Sequence, residues 1–500
     1  MWLVLICSSI SMVGQELSPS QLNTLADTYT ERSFPLLKEI LSIPNDANFP
    51  EDIERNIMWS EKEFQSRGFT TKRITTPTVP LLLAEKKSEL AARTVLIYLQ
   101  MDGQPVDTTR WFQKNPYQPT LKEQDSEGNW NPIDWSRIEN YNQDWRVFAR
   151  SASDAKGPVA MFLSAMDAIN AIDYELKYNI KVILDFEEEL GSPQLPEAVE
   201  KNRDALEADM LVIFDGPMHI TNEPTLVFGA RGIATIDLTV HGPIAPQHSG
   251  HYGNYAPNPA FRLARLLASM KDEAGRVTIP GYYDGIQISE KVEDLLRTVP
   301  DDENEIKERQ QIAKSEKVGF YYQEAIQFPS LNVRGMQSGW IDDEVRTIIP
   351  AWAKAEIDVR LVLESNPERL LQLIKDHIED QGYYVISRSP TREERLTHDK
   401  IATFTSTVAY QSFRTDVDSE IGRWLQIALT HAHGKSPIVE RMAGGSIPIS
   451  PFVVTLGLPA VSVPTVNRDN NQHSPNENIR LGNYRDGIKT MIAILTQPLE

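Results

Sequence analysis

The sequence predicts an α/β fold, a mostly parallel sheet flanked by helices, with a second, α+β domain inserted into it. From residue 21 to about 230, short apolar runs alternate with helix-like stretches, which is typical of a parallel sheet covered on both faces. From about residue 232, polar and apolar residues instead alternate with a period of two, as in antiparallel strands. A chain of 500 residues also exceeds one ordinary core, so two domains are expected.

The main domain is predicted from three apolar runs of strand length: VLIYL (95–99), KVILDF (181–186) and MLVIFD (210–215). Helical spacing covers residues 155–171 and 195–207. Binding sites in such sheets form at the carboxyl ends of the strands. Polar residues stand at that end of all three runs, so we expect the chemistry of the protein there.

The inserted domain is predicted from two segments with a period of two, GIATIDLTVHG (232–242) and WAKAEIDVRLVLE (352–364). A helix over 366–382 and the strand-like YYVIS (383–387) follow the second segment. A further helix, over 419–434, marks the return to the main domain. The expected boundaries are 19–231 with 396–500 for the main domain and 232–395 for the insertion.

Residues 1–18 resemble a secretory signal. The segment is apolar over about a dozen residues, too short to span a bilayer, and small and polar residues follow it. The positively charged start of such signals is missing, and a short buried N-terminal helix is the alternative. Cys7 is the only cysteine, so a cleaved chain would carry no thiol. A secreted or periplasmic location without a stable membrane span is expected.

The overall charge argues against some classes of partner. The formal net charge is −20, whereas nucleic acids and anionic membrane surfaces bind clustered Lys and Arg. Neither is therefore expected as a partner, and most of the acidic residues are expected to form a solvated surface.

Acidic and imidazole groups stand in four polar segments, ARSASDAKGP (149–158), DFEEELGSP (185–193), FDGP (214–217) and NRDNNQHSPNENIRL (467–481). A lone acid at a strand end is more often a helix cap or turn residue than a metal ligand. Three consecutive glutamates are harder to explain in this way, because like charges repel unless a cation compensates them.

Asp154, Glu189, Asp215 and His473 together form a carboxylate-rich set with one imidazole. Such a set suits one or two divalent cations. Glu188 stands next to one of these residues and would be the general base that activates water.

Seven motifs occur in a characteristic order: SASDAKGP (151–158), FEEELGS (186–192), QHSGHYGN (247–254), NPA (258–260), IDVRLV (357–362), AGGSIP (443–448) and HSPNENI (473–479). In these motifs the chain resembles the co-catalytic zinc metallopeptidase family of carnosinase, nonspecific dipeptidase, glutamate carboxypeptidase and succinyl-diaminopimelate desuccinylase. The resemblance extends from about residue 25 to the C-terminus and is strongest to the carnosinase-like dipeptidase branch.

The resemblance implies a zinc exopeptidase-like catalytic domain and an inserted dimerisation or lid domain. It implies one or two Zn²⁺ ions, with Mn²⁺ or another divalent cation as alternatives. Asp154 would bridge two metals, Glu189 and His473 would complete one site, and Asp215 would contribute to the other. Glu188 would be the catalytic base.

The resemblance also implies roles for residues of the inserted domain. His248 would reach the active site of a partner subunit and polarise the scissile carbonyl, which implies a homodimer. Arg360 would bind a substrate carboxylate through its two-pronged guanidinium. Gly445 and Ser446 would line the substrate pocket. The alternatives are an ordinary turn histidine at 248 and a solvent-facing structural arginine at 360.

The chain departs from the family at the first metal motif, where His-x-Asp is replaced by Gln100-Met101-Asp102. Asp102, which orients the histidine in relatives, is expected to accept a hydrogen bond from the Gln100 amide and turn its oxygen toward the metal. A neutral amide oxygen is a weak ligand for Zn²⁺. We therefore expect the site shared by Gln100, Asp154 and Asp215 to be weakened or empty.

The predicted function is metal-dependent hydrolysis of peptide or amide bonds, of the dipeptidase or carboxypeptidase type, in a small peptide or N-acyl amino acid. The alternatives are an N-acyl amino acid deacylase of the same family and a catalytically impaired pseudoenzyme that binds peptides. Retention of Glu188 favours an enzyme, because a protein relieved of catalysis has no need for a base beside its ligands. Met442-Ala443 replaces an Arg-Glu pair of the carnosinase-like branch, so substrate specificity does not transfer.

Overall fold

The computed structural model describes residues 16–499, and these form two compact units. The first unit comprises residues 16–229, 415–441 and 451–499, and the second comprises 230–414 and 442–450. The predicted signal segment lies outside the described residues except for its last three. Among residues 16–499, no helix combines the length and the apolar character that crossing a membrane requires.

The first unit is built on a mixed sheet. Its eight strands within the described chain are, in spatial order, Thr70–Ile74, Leu81–Lys86, Asn179–Asp185, Thr94–Gln100, Met210–Ile213, Ala460–Ser462, Thr225–Val227 and Ile438–Glu440. The strand Thr94–Gln100 lies parallel to both of its neighbours, Asn179–Asp185 and Met210–Ile213. The three apolar runs of the sequence are thus confirmed as adjacent parallel strands. The outer hairpin, Thr70–Ile74 with Leu81–Lys86, is antiparallel.

Helices accompany this sheet, with bounds Pro19–Leu41, Pro50–Ser66, Lys156–Ala171, Leu195–Lys201, Arg203–Leu206, Glu420–His433, Ser450–Leu456 and Leu481–Thr496. The predicted helix at 419–434 is confirmed, and both of its ends follow from the sequence. The Ser419 side chain accepts the Gly422 N–H at the start, and Gly434 ends the helix with φ +70°. The helix predicted over 195–207 is interrupted at Asn202.

A second, four-stranded sheet brings two polar loops of the first unit together. Its strands, in order, are Asn478–Arg480, Arg146–Phe148, Thr120–Gln124 and Trp130–Pro132. Phe148 pairs with Asn478 in the antiparallel register of the first two strands. The loop that follows Phe148 and the loop that precedes Asn478 therefore start side by side, although more than 300 residues of chain separate them.

The second unit is an antiparallel sheet with helices on one face. Its strands, in order, are Ser330–Gln337, Trp352–Leu361, Gly232–His241, Ile401–Tyr410 and Tyr384–Ile386, the last of which runs parallel to its neighbour. Helices span Ser249–Tyr252, Pro259–Ala268, Glu290–Arg297, Glu303–Gln310, Tyr322–Ala325, Pro367–Asp380 and Arg392–Thr397. The short strands Gln247–His248 and Ile348–Ile349 pair separately.

The period of two in the sequence has the expected effect in this sheet. Ile236 pairs with Ile357, and both side chains are buried in one core with the helix residues Leu263 and Ile374. Asp237, one position along, is exposed on the other face. The alternation thus divides the strand into a core face and a solvent face.

The second unit extends further along the chain than the predicted insertion of 232–395. The strand Ile401–Tyr410 pairs with Gly232–His241 over its whole length, so residues up to Arg414 belong to this unit. The boundary predicted at residue 396 therefore differs from the structure. This strand was not recognised in the sequence because Thr405, Ser406 and Thr407, in its middle, are consecutive small polar residues that are exposed.

We expect Ile357→Ala to lower the free energy of unfolding of the second unit by about 2–5 kcal/mol, because it leaves a cavity between sheet and helices. Thr405→Ala, at an exposed position of the same sheet, should change that free energy by less than ~0.5 kcal/mol. Hydrogen exchange of the strand Trp352–Leu361 measures both effects. Equal loss of protection in the two variants would contradict this description of the core.

Candidate metal centre

Three side chains of the first unit converge at the carboxyl end of the parallel strands. One ligand atom each from Asp154, Glu189 and His473 lies within 4.8 Å of the others. His473 Nε2 is 2.9 Å from Asp154 Oδ2 and 3.4 Å from Glu189 Oε2. Asp154 is buried, Glu189 is partly buried and His473 is exposed. Three of the predicted ligands, from distant parts of the sequence, are thus brought together with atoms at a spacing that could hold one cation.

Asp154 lies on a loop that is held by one buried carboxylate, that of Glu477. Glu477 Oε1 accepts the backbone N–H groups of Ser153 and Asp154, both at 2.9 Å. Its Oε2 accepts the Ser151 N–H at 2.9 Å and a guanidinium N–H of Arg150 at 2.7 Å. The loop that presents Asp154 is therefore built around Glu477.

Glu477 has no role predicted from the sequence, although it lies in the HSPNENI motif, four residues after His473. The side chains of Glu477 and Arg150 are only 1% and 3% exposed. A glutamate in a polar loop is normally solvated, and the sequence carries no signal that this one is buried and paired. Its partners became identifiable only from the structure.

The glutamates at 188 and 189 follow the strand Asn179–Asp185 in a short 3₁₀ turn, Glu188–Leu190. Asp185 anchors this turn, since its Oδ2 accepts the hydroxyl groups of Tyr98 at 3.0 Å and Ser192 at 2.5 Å. The turn that carries the predicted base and ligand is thus attached to the end of a buried strand.

Asp102 and Gln104 contact Glu189 directly. Asp102 Oδ2 accepts the backbone N–H of Glu189 at 2.9 Å, and Gln104 Nε2 donates to Glu189 Oε2 at 2.7 Å. Gln104 was missed in the sequence, where a single glutamine in a turn has no distinguishing pattern. Both contacts come from the segment that follows the strand Thr94–Gln100, and both restrain the position of Glu189.

The predicted hydrogen bond from Gln100 to Asp102 is wrong. Gln100 Nε2 instead donates to Asp154 Oδ1 at 2.6 Å, and its Oε1 is buried without a partner among the described residues. Asp102 Oδ2 accepts the Glu189 backbone N–H, and Asp102 Oδ1 has no hydrogen-bond partner among the described residues. Gln100 therefore occupies one oxygen of the carboxylate that was expected to bridge two metals.

The site concentrates negative charge in a place with little water. Burial, followed by the charge of Asp154, raises the pKa of Glu189 to about 8. Burial also raises the pKa of Glu188 well above its usual range, and the neighbouring charges of Asp215, Glu189, Asp102 and Asp154 add to this effect.

The charge and hydrogen bonding of Asp154 also affect the pKa values of His473 and Asp215. A hydrogen bond with Asp154, with the charge of Glu189 in addition, raises the pKa of His473 to about 9. Burial and the Asp154 charge raise the pKa of Asp215 to about 7. Asp215 lies near enough to interact with Asp154, and one of its oxygens accepts the Gly216 N–H at 2.6 Å. It is outside the group of three whose ligand atoms cluster.

These residues fit a divalent cation. Two carboxylates and one imidazole match the ligands that Zn²⁺ and Mn²⁺ take in proteins. The mutual repulsion of the carboxylates is the strain that a cation would relieve. The buried, unpartnered oxygen of Gln100 is a further neutral donor next to them.

The predicted substrate residues lie in the second unit and have their own neighbours there. Arg360 Nη1 donates to Ser446 Oγ at 2.9 Å, and Arg360 lies on the strand Trp352–Leu361. The Gly445 carbonyl accepts the backbone N–H of Arg231. His248 is exposed, and its Nδ1 accepts the Gly250 N–H at 3.0 Å. The structure thus brings Arg360 and Ser446 together, whereas His248 begins a short helix.

Comparisons with known proteins find relatives that are named dipeptidases. The human protein Beta-Ala-His dipeptidase is 27% identical over 429 residues, covering 84% of this chain and 78% of the relative. Cys-Gly metallodipeptidase DUG1 of Candida albicans is 26% identical over 419 residues, covering 82% of this chain and 80% of the relative.

Among solved structures, an M20 family metallo-carboxypeptidase, Sso-CP2 from Sulfolobus solfataricus, superposes with a TM-score of 0.76 at 26% identity. The match covers 93% of this chain and 98% of that one. The sequence pattern of Peptidase family M20/M25/M40 matches residues 96–497, which include the predicted site residues of both units. The order of the motifs, the fold and this match lead to one conclusion: the chain belongs to Peptidase family M20/M25/M40.

Proposed function

We propose that this protein is a metal-dependent dipeptidase that hydrolyses the peptide bond of small peptides. The observation that carries the proposal is the cluster of Asp154, Glu189 and His473, with ligand atoms within 4.8 Å of one another and Glu188 beside them. Membership of a peptidase family and similarity to two named dipeptidases support it.

In this proposal Asp154, Glu189 and His473 hold one divalent cation, Zn²⁺ or Mn²⁺. The cation would supply the Lewis acidity that makes water nucleophilic near neutral pH. Glu477 and Asp102 keep two of these ligands in place through the backbone hydrogen bonds described above. The cluster is thereby preorganised by groups that do not themselves bind the cation.

Glu188 is the proposed proton carrier. Its carboxylate takes a proton from the attacking water as the water oxygen bonds to the scissile carbonyl carbon. It then delivers that proton to the departing nitrogen as the C–N bond breaks, which leaves a free carboxylate and a free amine. Burial and surrounding negative charge raise its pKa, so it holds a proton more readily than an exposed glutamate does.

Arg360 and Ser446 of the second unit are the proposed contacts of the substrate's terminal carboxylate. A guanidinium and a hydroxyl at hydrogen-bond distance from each other present several donors to one anion. By the family resemblance, His248 acts on the substrate in a partner subunit, so the proposed active form is a homodimer.

Replacing Glu188 by glutamine should lower kcat by about 10²–10⁴-fold while the bound metal is retained, because the amide cannot carry a proton. Glu187→Gln is the matched control, since the Glu187 carboxylate accepts the Thr78 hydroxyl instead of serving the cluster. Both variants are assayed on panels of dipeptides and N-acyl amino acids.

If the protein hydrolysed only the N-acyl amino acids, its activity would be that of a deacylase and not of a dipeptidase. No turnover by the unaltered protein with any added cation would identify a binding protein without catalysis. Equal loss of activity in the two variants would remove Glu188 from its proposed role.

The unaltered protein should bind one ion per chain, because the Gln100 amide occupies Asp154 Oδ1. Gln100→His should raise the number to two, since an imidazole is a stronger ligand for Zn²⁺ than an amide oxygen. Elemental analysis of dialysed protein measures this. Gln124→His, at an exposed position, controls for metal binding by an added surface histidine. Two ions in the unaltered protein would contradict the assignment.

Glu477→Gln should weaken metal binding by about 10–100-fold, because the Asp154 loop loses the charged acceptor around which it is built. It should also lower stability by about 3–5 kcal/mol, since Arg150 keeps its buried charge without a partner. Metal titration and thermal unfolding in chelator measure the two effects. Glu123→Gln, which removes an exposed partner of Arg137, should change neither. Unchanged metal affinity in Glu477→Gln would contradict the positioning role.

A further inference from the structure

Arg231 of the second unit is a partly buried cation that forms no ion pair among the described residues. Its Nη2 donates to the Phe328 carbonyl at 2.7 Å, while its Nε is buried without any partner. Burial, together with the positive charge of Arg360, lowers the pKa of Arg231 to about 10. A charged group removed from water is costly unless an opposite charge compensates it. The charge of Asp358 acts on Arg231 less than burial and Arg360 do, and this carboxylate lies 3.7 Å from Arg360 Nε. The surroundings of Arg231 therefore favour binding of an anion.

Arg231 lines a cavity of about 280 Å³ within this unit. Aromatic side chains form part of its wall, among them Tyr283, Tyr322 and Phe328. A cavity of this size has room for a side chain, and its aromatic wall shields a charged hydrogen bond from water, which makes that bond stronger.

The other charged groups that line the cavity do not neutralise Arg231. Glu316 forms an ion pair with Lys271 at 3.1 Å. Glu303 Oε1 accepts the backbone N–H of Tyr322 at 2.6 Å. Lys307, the remaining charged residue of the lining, is a further cation. The cavity is therefore net positive.

The cavity adjoins the contacts already proposed for the substrate carboxylate. Arg231 donates its backbone N–H to the Gly445 carbonyl, and the next residue, Ser446, accepts a hydrogen bond from Arg360. Ser330, part of the cavity lining, lies opposite Arg360 in the paired strands. Two arginines are thus held around one short loop. Arg360 Nε lies 3.7 Å from Asp358 Oδ2, whereas Arg231 forms no ion pair among the described residues.

We propose that Arg231 and this cavity bind a second carboxylate, the acidic side chain of a C-terminal aspartate or glutamate, next to the terminal carboxylate that Arg360 takes. Arg231 is then a specificity-determining residue, and the preferred substrates are dipeptides with an acidic C-terminal residue. The assignment rests on the proposed function, since it takes the Arg360 contact from there.

The test measures binding of free L-glutamate and L-glutamine, which differ only in the charge and donors of the side-chain end. Titration calorimetry of the full-length protein should give a Kd for L-glutamate about tenfold or more below that for L-glutamine, because a charged acceptor bonds a guanidinium more strongly than an amide does. Equal affinities would overturn the proposal, and this comparison requires no variant to fold.

Variants then assign the preference to a residue. Arg231→Met should bring the affinity for L-glutamate down to that for L-glutamine, whereas Arg360→Met should weaken both. Arg334→Met is the matched control, since Arg334 is an exposed arginine of the same unit that pairs with Glu356. A preference for L-glutamate that survives in Arg231→Met would overturn the assignment to Arg231.

Hydrolysis separates this inference from the proposed function. The metal-loaded protein should cleave Ala-Glu with a kcat/KM about tenfold or more above that for Ala-Gln. Cleavage of both at equal rates would overturn the specificity and leave the dipeptidase activity standing. A preference for L-glutamate without cleavage of any dipeptide would overturn the proposed function and support an anion site at Arg231.

Discussion

The candidate metal centre depends on the buried carboxylate of Glu477. Three backbone N–H groups and the guanidinium of Arg150 donate to it, and these donors lie in the loop that presents Asp154. The loop itself is short, and its small residues are buried. The Glu477 carboxylate in its middle fixes the path of the loop, because charge-assisted hydrogen bonds are the strongest that a buried backbone can make. The polar loop 467–477 thereby supplies both His473 and the group that orders the loop of Asp154.

The carboxylates converge because of the parallel sheet of the first unit. Parallel strands end at one edge of the sheet, and the turns after Thr94–Gln100 and Asn179–Asp185 bring their acids together there. Asp102 accepts the Glu189 backbone N–H, so it is a structural acceptor, whereas burial and the neighbouring charges raise the pKa values of Glu188 and Glu189. The Gln100 amide donates a hydrogen bond to the Asp154 carboxylate. A histidine at this position would instead offer a nitrogen lone pair.

The second unit has the opposite electrostatic character near its proposed substrate contacts. Arg231 and Arg360 lie around the loop of Gly445 and Ser446, and Arg231 forms no ion pair within residues 16–499. One unit therefore concentrates anionic ligands and the other concentrates cationic donors. A peptide substrate carries a scissile carbonyl that a metal site can act on and a terminal carboxylate that arginines can bind.

The sequence by itself determined the fold class and the apolar strands, and it predicted the three residues whose ligand atoms cluster, Asp154, Glu189 and His473. These depend on local patterns: a strand between two helix layers must be apolar throughout, a half-exposed strand must alternate, and ligands must be drawn from a few residue types. The alternation at 232–242 and 352–364 predicted strands that the structure pairs residue by residue. The strand Ile401–Tyr410 was not predicted from the sequence. One half of it is stabilised by backbone pairing with the strand Gly232–His241 and not by buried apolar side chains of its own.

Only the tertiary structure decided which partner each polar group takes. Hydrogen bonds between Gln100 and Asp154, Asp102 and Glu189, or Glu477 and the Asp154 loop join residues that are tens to hundreds of positions apart. The same is true of Arg231, whose sequence neighbours give no sign that its charge is buried. Burial and pairing are properties of the assembled chain, because a side chain's access to water is set by segments that the local sequence does not contain.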